Sequence, residues 1–426
     1  FLMTKNKKNG CNFHAIGTVA AAISGFPFVH TSRAQSVKPI KIGIDGCGGR
    51  GTGAASDALR AAPNVHLIAL ADPFRDRIDL CLKNLNDPKR RGGPLKGIEI
   101  KEDHIFAGLD GYTKLLETDI DYVILTEPPG FRSRSFEAAV EAGKHVFMEK
   151  PVATDPVGVR KVLKTAKKAR EKGLSVCVGL DKRHSIRANE TVNRIHDGGI
   201  GDILAGRLYF QSTGAWHRGS DPSWTPMEYQ CRNWYYFCWL SGDQIVEQHI
   251  HEIDAMNWAM GGYPVKALAN GGRQVRTDPK YGNIWDHISV DYEYPNGAHA
   301  LSMSRHWRNC DVAHGNFVVG TKGRSNIDGE ITGKNAWKWD GKMVTPKVYE
   351  HWELIESIRK GETMSQAEFG AYSALTAIMG RESAYTGKVV TWDEMLNSDL
   401  DLFPEKVEFG PVPKRAVPMP GYPRPR

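Results

Sequence analysis

The chain runs to 426 residues, 41% of them hydrophobic and 25% charged, long enough for two cores and too mixed in composition for a disordered or fibrous protein. The formal charge of +7 does not imply a nucleic-acid partner, because residues 1–34 carry four of the positive charges and no acid, and without them the balance falls to +3. In that segment Lys5, Lys7 and Lys8 precede an apolar stretch from Phe13 to Val29, with small residues at Ser32 and Ala34. This is a signal-peptide layout over 1–34 and predicts export to a periplasm by an open route, with a cytoplasmic protein as the alternative if the printed start is an artefact. The apolar part is too short and too rich in Gly, Ser and Pro for a membrane span.

A short apolar run, Ile40 to Ile44, leads into Gly46-Cys47-Gly48-Gly49-Arg50-Gly51, a GxGxxG turn followed by the helix-like Ala54 to Ala62. Gly46 permits the tight turn, Gly48 lets backbone approach a diphosphate, and Gly51 lets the helix pack on the strand. The next run, Val65 to Ala71, ends in Asp72, placed to accept a ribose 2′-hydroxyl. That favours NAD, while Arg75 and Arg77 leave NADP open. After a charged loop from Asp87 to Gly97 come Tyr122 to Thr126, a helix over Ser133 to Ala142, and His145 to Met148. Alternating short runs and helices predict a parallel, helix-covered sheet over residues 38–151, whose ligand lies beyond the strand ends. Gly46, Gly48, Gly49, Arg50, Gly51, Asp72, Arg75, Thr126, Pro128, Glu149 and Lys150 all fall there and are the expected cofactor contacts.

Beyond Pro156 a helix reaches Glu171, and after Leu174 to Val178 the texture changes to longer alternating strands, Ala205 to Ser212, His287 to Tyr294, Ala298 to Met303 and Asn316 to Val319. Asn296-Gly297 reads as a hairpin turn. The expected fold class is α/β: an N-terminal doubly wound Rossmann domain and, over 152–400, a substrate domain with a large, mostly antiparallel open sheet. Amphipathic helices at Tyr349 to Arg359 and Ala367 to Tyr385 can pack back on the first domain or cover the sheet, and a proline-rich tail occupies 401–426. Cysteine spacing gives no CxxC pair; the thiols read as buried or free, with a Cys231–Cys238 pairing left open.

The set Gly46 to Gly51, Thr126-Glu127-Pro128-Pro129, Ala142 to Pro151 with its Glu149-Lys150-Pro151 ending, and His249-Ile250-His251-Glu252-Ile253-Asp254 resembles the Gfo/Idh/MocA family, the glucose-fructose oxidoreductase and inositol dehydrogenase group, from Ile40 to Ser398. The resemblance implies hydride transfer at a carbinol carbon of a sugar or polyol and a homodimer or homotetramer formed through the second sheet, while export, away from soluble NAD, implies a tightly held cofactor. It makes Lys150 the lysine at the reacting hydroxyl and His251 the catalytic histidine. Where inositol-dehydrogenase-like members carry Asp four residues before that histidine, this chain has Glu247.

Local spacing supports these roles. Glu247, His251 and Asp254 at i, i+4 and i+7 share one face of a predicted helix, so a carboxylate is expected beside His251, favouring its protonated form. A lysine near an oxidised nicotinamide has its pKa lowered; His251 is then the base and Lys150 its hydrogen-bonding partner, with exchanged roles as the alternative. His249 faces elsewhere and reads as structural, and the spacing offers no metal motif. The stretch from Gly214 to Gly242, dense in Trp216, Trp224, Tyr229, Trp234, Tyr235, Tyr236 and Trp239, reads either as a carbohydrate wall or as a hydrophobic cover. Glu247, Arg183, Tyr236, Trp234 and His287 are the expected substrate contacts. Two chemistries compete: a sugar or polyol oxidoreductase, and a redox-neutral, NAD-dependent glycosidase that oxidises C3 transiently and needs a second base for the C2 proton, for which Tyr235, Tyr236, His217 and His287 are candidates. A non-catalytic nucleotide-binding regulator is the third reading, disfavoured by Lys150 and His251.

Overall fold

The computed structural model describes residues 37–413 and 415–422; the signal-like segment 1–34 lies outside the described residues. The first half alternates strands and helices: β1 (Ile40–Asp45), α1 (Gly49–Ala61), β2 (Val65–Asp72), α2 (Arg75–Leu85), β3 (Ile105–Ala107), α3 (Gly111–Leu116), β4 (Tyr122–Leu125), α4 (Pro129–Glu141), β5 (His145–Met148), α5 (Pro156–Glu171) and β6 (Val176–Val178). The six strands form one parallel sheet in the order β3-β2-β1-β4-β5-β6. Period-two alternation serves both faces: Ile40, Ile42, Ile44, Ile124 and Phe147 pack toward α1, while Val123, Leu125, Val146 and Met148 pack toward α4 and α5. Strand order reverses between β1 and β4, which opens the crevice where such sheets bind ligands.

The second half comprises α6 (Ile186–His196), β7 (Ile203–Ser212), the short helices α7 (Pro226–Arg232), α8 (Cys238–Ser241) and α9 (Gln244–Glu247), α10 (Ile250–Met260), β8 (Lys266–Gly272), β9 (His287–Glu293), β10 (His299–His306), β11 (Ala313–Gly320), β12 (Gly323–Ser325), β13 (Glu330–Gly333), β14 (Trp337–Lys338), α11 (Pro346–Lys360), α12 (Ala367–Thr386), β15 (Val390–Thr391) and α13 (Trp392–Leu396). Nine strands run β14-β13-β12-β11-β7-β10-β9-β8-β15, antiparallel except where β7 lies parallel to β10. Asn296-Gly297 turns β9 into β10, the Asn296 side chain accepting from Ala298 N at 3.0 Å.

One face of this sheet packs under α10 and α12. Registers place Leu268, Leu301, Phe317 and Val319 together on the other face, where all four are exposed. The last long helices behave differently from each other. Leu354, Ile355 and Ile358 of α11 join the core beside α1, whereas α12 is buried on every side rather than amphipathic, wedged between α5 and the second sheet. Its Arg381, wholly buried, donates to the carbonyls of Thr154 (2.7 Å) and Gly242 (3.0 Å) and pairs with Glu382. No disulfide joins Cys231 to Cys238.

Candidate active site

The nucleotide turn is shaped by two glycines the fold requires and two it does not. Gly46 has φ +96°, and a Cβ there would stand 2.5 Å from Glu127 N; a Cβ on Gly51 would stand 1.9 Å from the Gly46 carbonyl. Around Gly48 and Gly49 there is open space within 4 Å. Helix α1 begins there with no side-chain cap and no acid in its first turn, so its N-terminal amides and dipole face that space. Asp72, at the end of β2, accepts from Cys47 N at 2.8 Å and Phe74 N at 2.9 Å, which fixes its carboxylate at the mouth of the turn; burial pushes its pKa up to about 6. A dinucleotide fits this arrangement, with diphosphate over Gly48 and a ribose on Asp72.

Not every expected cofactor residue offers its side chain. Arg50 is held among Asp57 (3.1 Å), Glu149 and Glu350 (3.7 Å), which leaves its Nη2 without a hydrogen bond among the described residues. Arg75 is exposed and committed to Asp79 (2.9 Å) and Glu102 (2.8 Å). Thr126 braces the turn by donating to the carbonyls of Asp45 (3.0 Å) and Gly46 (2.7 Å), and Pro128 closes the strand before α4.

From the turn a cavity of about 360 Å³ runs toward the second sheet, its far end walled by Lys150, Asp181, Phe210, Trp234, Glu247 and His251. Lys150 lies two residues past β5, with a cis bond to Pro151, and its ammonium donates to the Glu247 carbonyl and to Glu247 Oε1 at 3.0 Å. His251 sits in the first turn of α10, and its Nδ1 lies 3.5 Å from Asp181 Oδ1. Burial, together with the Lys150 and Lys182 ammoniums, pushes the imidazole down to about 3 and keeps it neutral. Glu127 lies buried in the wall at the turn end, its carboxyl pushed up to about 7 by burial.

Four expectations are corrected here. The single helical face through Glu247, His251 and Asp254 does not form, because the chain breaks at Gln248-His249 between α9 and α10. Asp254 points away and forms a bidentate pair with Arg183 (2.8 Å each), which also lies over Trp258 and Phe369; Arg183 is therefore a buried strut, not a substrate contact. The carboxylate beside His251 is Asp181, and the ring is held neutral rather than protonated, since desolvation, reinforced by the Lys150, Lys182 and Lys347 ammoniums, outweighs the opposing pull of Glu149. Tyr236 is buried, donating to Ala215 O at 2.8 Å, and His287 pairs with Asp286 at 2.8 Å; neither lines the cavity.

Of the aromatic stretch only Trp234 reaches the cavity, while Tyr235 and Trp239 are core, so that stretch is chiefly a cover. The candidates for a second base, Tyr235, Tyr236, His217 and His287, all lie outside the lining. His249 is buried against Ser302 Oγ at 2.7 Å, as a structural residue should be. Sequence reasoning passed over Asp181 and Phe210. Asp181 had a signal: it stands three residues past β6, at the same carboxyl edge as the other motifs.

Residues 40–179 match the oxidoreductase family with an NAD-binding Rossmann fold, and residues 190–325 match the GFO/IDH/MocA C-terminal domain. The chain belongs to the Gfo/Idh/MocA oxidoreductase family. Among curated relatives, 2,7-anhydro-N-acetylneuraminate hydratase of Escherichia coli (strain K12) is 25% identical over 252 residues, 58% of this chain and 62% of that one. Inositol 2-dehydrogenase of Rhizobium meliloti (strain 1021) is 28% identical over 172 residues, 40% of this chain and 46% of that one. The chain thus spans less than two thirds of each. The fold is that of scyllo-inositol dehydrogenase from Lactobacillus casei, a structure with bound NAD(H) and scyllo-inositol: TM-score 0.62 and 20% identity over 84% of this chain and all of that one.

Proposed function

We propose that this protein moves hydride to or from a ring carbinol carbon of a sugar or polyol, with Lys150 and His251 at the reacting hydroxyl. The observation that carries this reading is their meeting in one cavity, the imidazole held neutral, at the end of a turn shaped for a dinucleotide. NAD supplies the hydride acceptor when bound. Lys150, oriented by Glu247, donates a hydrogen bond to the substrate oxygen, and the neutral His251 takes the hydroxyl proton as negative charge develops. Phe210 and Trp234 offer apolar faces to ring C–H groups, and Glu247 and Gln248 offer acceptors to further hydroxyls.

The relatives include a hydratase of an anhydro sugar, which favours one second reading: a redox-neutral glycosidase or hydratase in which hydride returns within each cycle. Export of the chain, read from residues 1–34, suits either form if the retained cofactor is regenerated in place: in the oxidoreductase a second sugar takes the hydride back, and in the redox-neutral cycle the hydride returns to the same ring. The four exposed apolar side chains on the outer sheet face suit a second copy of this chain and underlie our reading of a homo-oligomer.

The test is to load the protein with NAD, add inositols, free hexoses and aryl glycosides, and follow nicotinamide reduction and aglycone release together. Lasting reduction without release supports the oxidoreductase; release without net reduction supports the second reading. Lys150→Ala is expected to abolish reduction with NAD still bound, and unchanged turnover in that variant defeats the site assignment.

A further inference from the structure

The buried ring nitrogen of His251, Nδ1, makes no hydrogen bond among the described residues. A buried imidazole N–H without an acceptor is costly, and an imidazole that is to take a proton through Nε2 must carry its own proton on Nδ1. The charged groups around the ring come from five elements: Glu149 and Lys150 at the end of β5, Asp181 and Lys182 in the turn after β6, Glu247 in α9, Glu252 beside the ring in α10, and Lys347 at the start of α11. Most are already committed. Glu149 accepts from Arg50, Glu247 from Lys150, and Glu252 from Lys182. Asp181 remains, and its one ion pair among the described residues is with His251 Nδ1 at 3.5 Å. A small rotation of either side chain brings that contact to hydrogen-bond length, about 2.8 Å, as ligand fills the cavity.

We infer that Asp181 is a positioning residue that accepts from Nδ1–H of His251, fixing the tautomer whose bare Nε2 faces the cavity. The inference rests on the reading of His251 as the base. It explains why the acid need not come from the helix that carries the histidine: Asp181 starts a 3-10 turn (Asp181–His184) at the carboxyl edge of the parallel sheet, and so approaches the ring from the cofactor side. Its carboxylate also offsets the imidazolium that forms when the proton arrives, which Lys150 and Lys182 oppose.

The test uses the full chain loaded with NAD and labelled with ¹⁵N-histidine. The parent should show His251 as the Nδ1–H tautomer. Asp181→Ala should lose that preference, and Asp181→Asn, whose amide can donate to Nδ1, should shift the ring toward Nε2–H. With the best substrate of the sugar panel, both variants should lower kcat by roughly 10- to 100-fold, a part of the 10²–10⁴ a positioned base supplies, with KM and NAD affinity little changed. Asp181→Glu should recover part of the rate. An Nε2–H tautomer in the parent, or an Asp181→Ala variant that keeps both tautomer and kcat, overturns the inference. If no sugar is turned over, the proposed activity fails while the tautomer still decides for or against Asp181.

Discussion

Gly48 separates what the fold needs from what the dinucleotide needs. Its backbone, φ −71° and ψ −170°, suits alanine, and an added Cβ meets nothing within 4 Å. Gly48→Ala should therefore cost the unliganded fold no more than about 1 kcal/mol, the range of N-cap exchanges. The methyl would occupy the space over the helix start, where backbone amides meet phosphate oxygens at about 2.9 Å. Pushing a diphosphate out by about 1 Å forfeits two charge-assisted bonds, together about 3–4 kcal/mol, so Kd for NAD should rise roughly 100- to 1,000-fold. Gly51→Ala should behave differently, because its Cβ would stand 1.9 Å from a backbone carbonyl that cannot rotate aside. It should cost about 1–3 kcal/mol of stability as well as NAD binding. Gly49→Ala, also in open space but inside the helix, should add up to about 1 kcal/mol of stability and keep NAD. Calorimetric titration with NAD on nicotinamide-stripped protein, beside denaturation without ligand, reads both effects. If Gly48→Ala binds NAD within about threefold of the parent, the diphosphate does not lie where the open space places it.

His251 must be neutral to accept a proton and its pKa is pushed from 6.5 down to about 3, so hydride transfer should persist as pH falls through 6.5 and fail only further toward 3; a pH–rate profile with an acid limb near 6.5 contradicts this. Arg381→Leu strips two buried carbonyls of their donor and removes the cation beside Glu382, and should cost about 3–5 kcal/mol in denaturant titration, whereas a loss under about 1 kcal/mol would show that the strut between α5's approach and α8 is dispensable. For the homo-oligomer proposed above, Leu301→Glu puts a charge at the centre of the exposed sheet face and should convert an oligomeric parent to monomer in sedimentation, with NAD binding retained; a parent that sediments as a monomer, or an oligomer unchanged by the substitution, defeats the proposed interface.

Much of the cofactor half was legible in the chain because its signals are local. A strand, a glycine turn, a helix and an acid at the next strand end are consecutive, and steric demands at Gly46 and Gly51 are set by residues a few positions away or on the adjoining strand. Lys150 at the end of β5 and His251 at the start of α10 carried their own flanking patterns, and both arrive in the cavity. The short edge strands β12 to β15 and the all-round burial of α12 left little trace, since they follow from neighbours distant in sequence.

Partner choice was decided only by tertiary structure. Spacing put Glu247, His251 and Asp254 on one helical face, yet the chain breaks between α9 and α10; Glu247 then goes to Lys150 and Asp254 to Arg183, while Asp181, seventy residues earlier in the chain, comes to 3.5 Å from the neutral His251. The charge state of the histidine changed with it, because desolvation and the two nearby lysines depend on what packs over the ring, which no period in the sequence records. The sequence by itself determined which chemical groups line the strand ends; the packing of the second sheet and of α10 against them decided which pairs form.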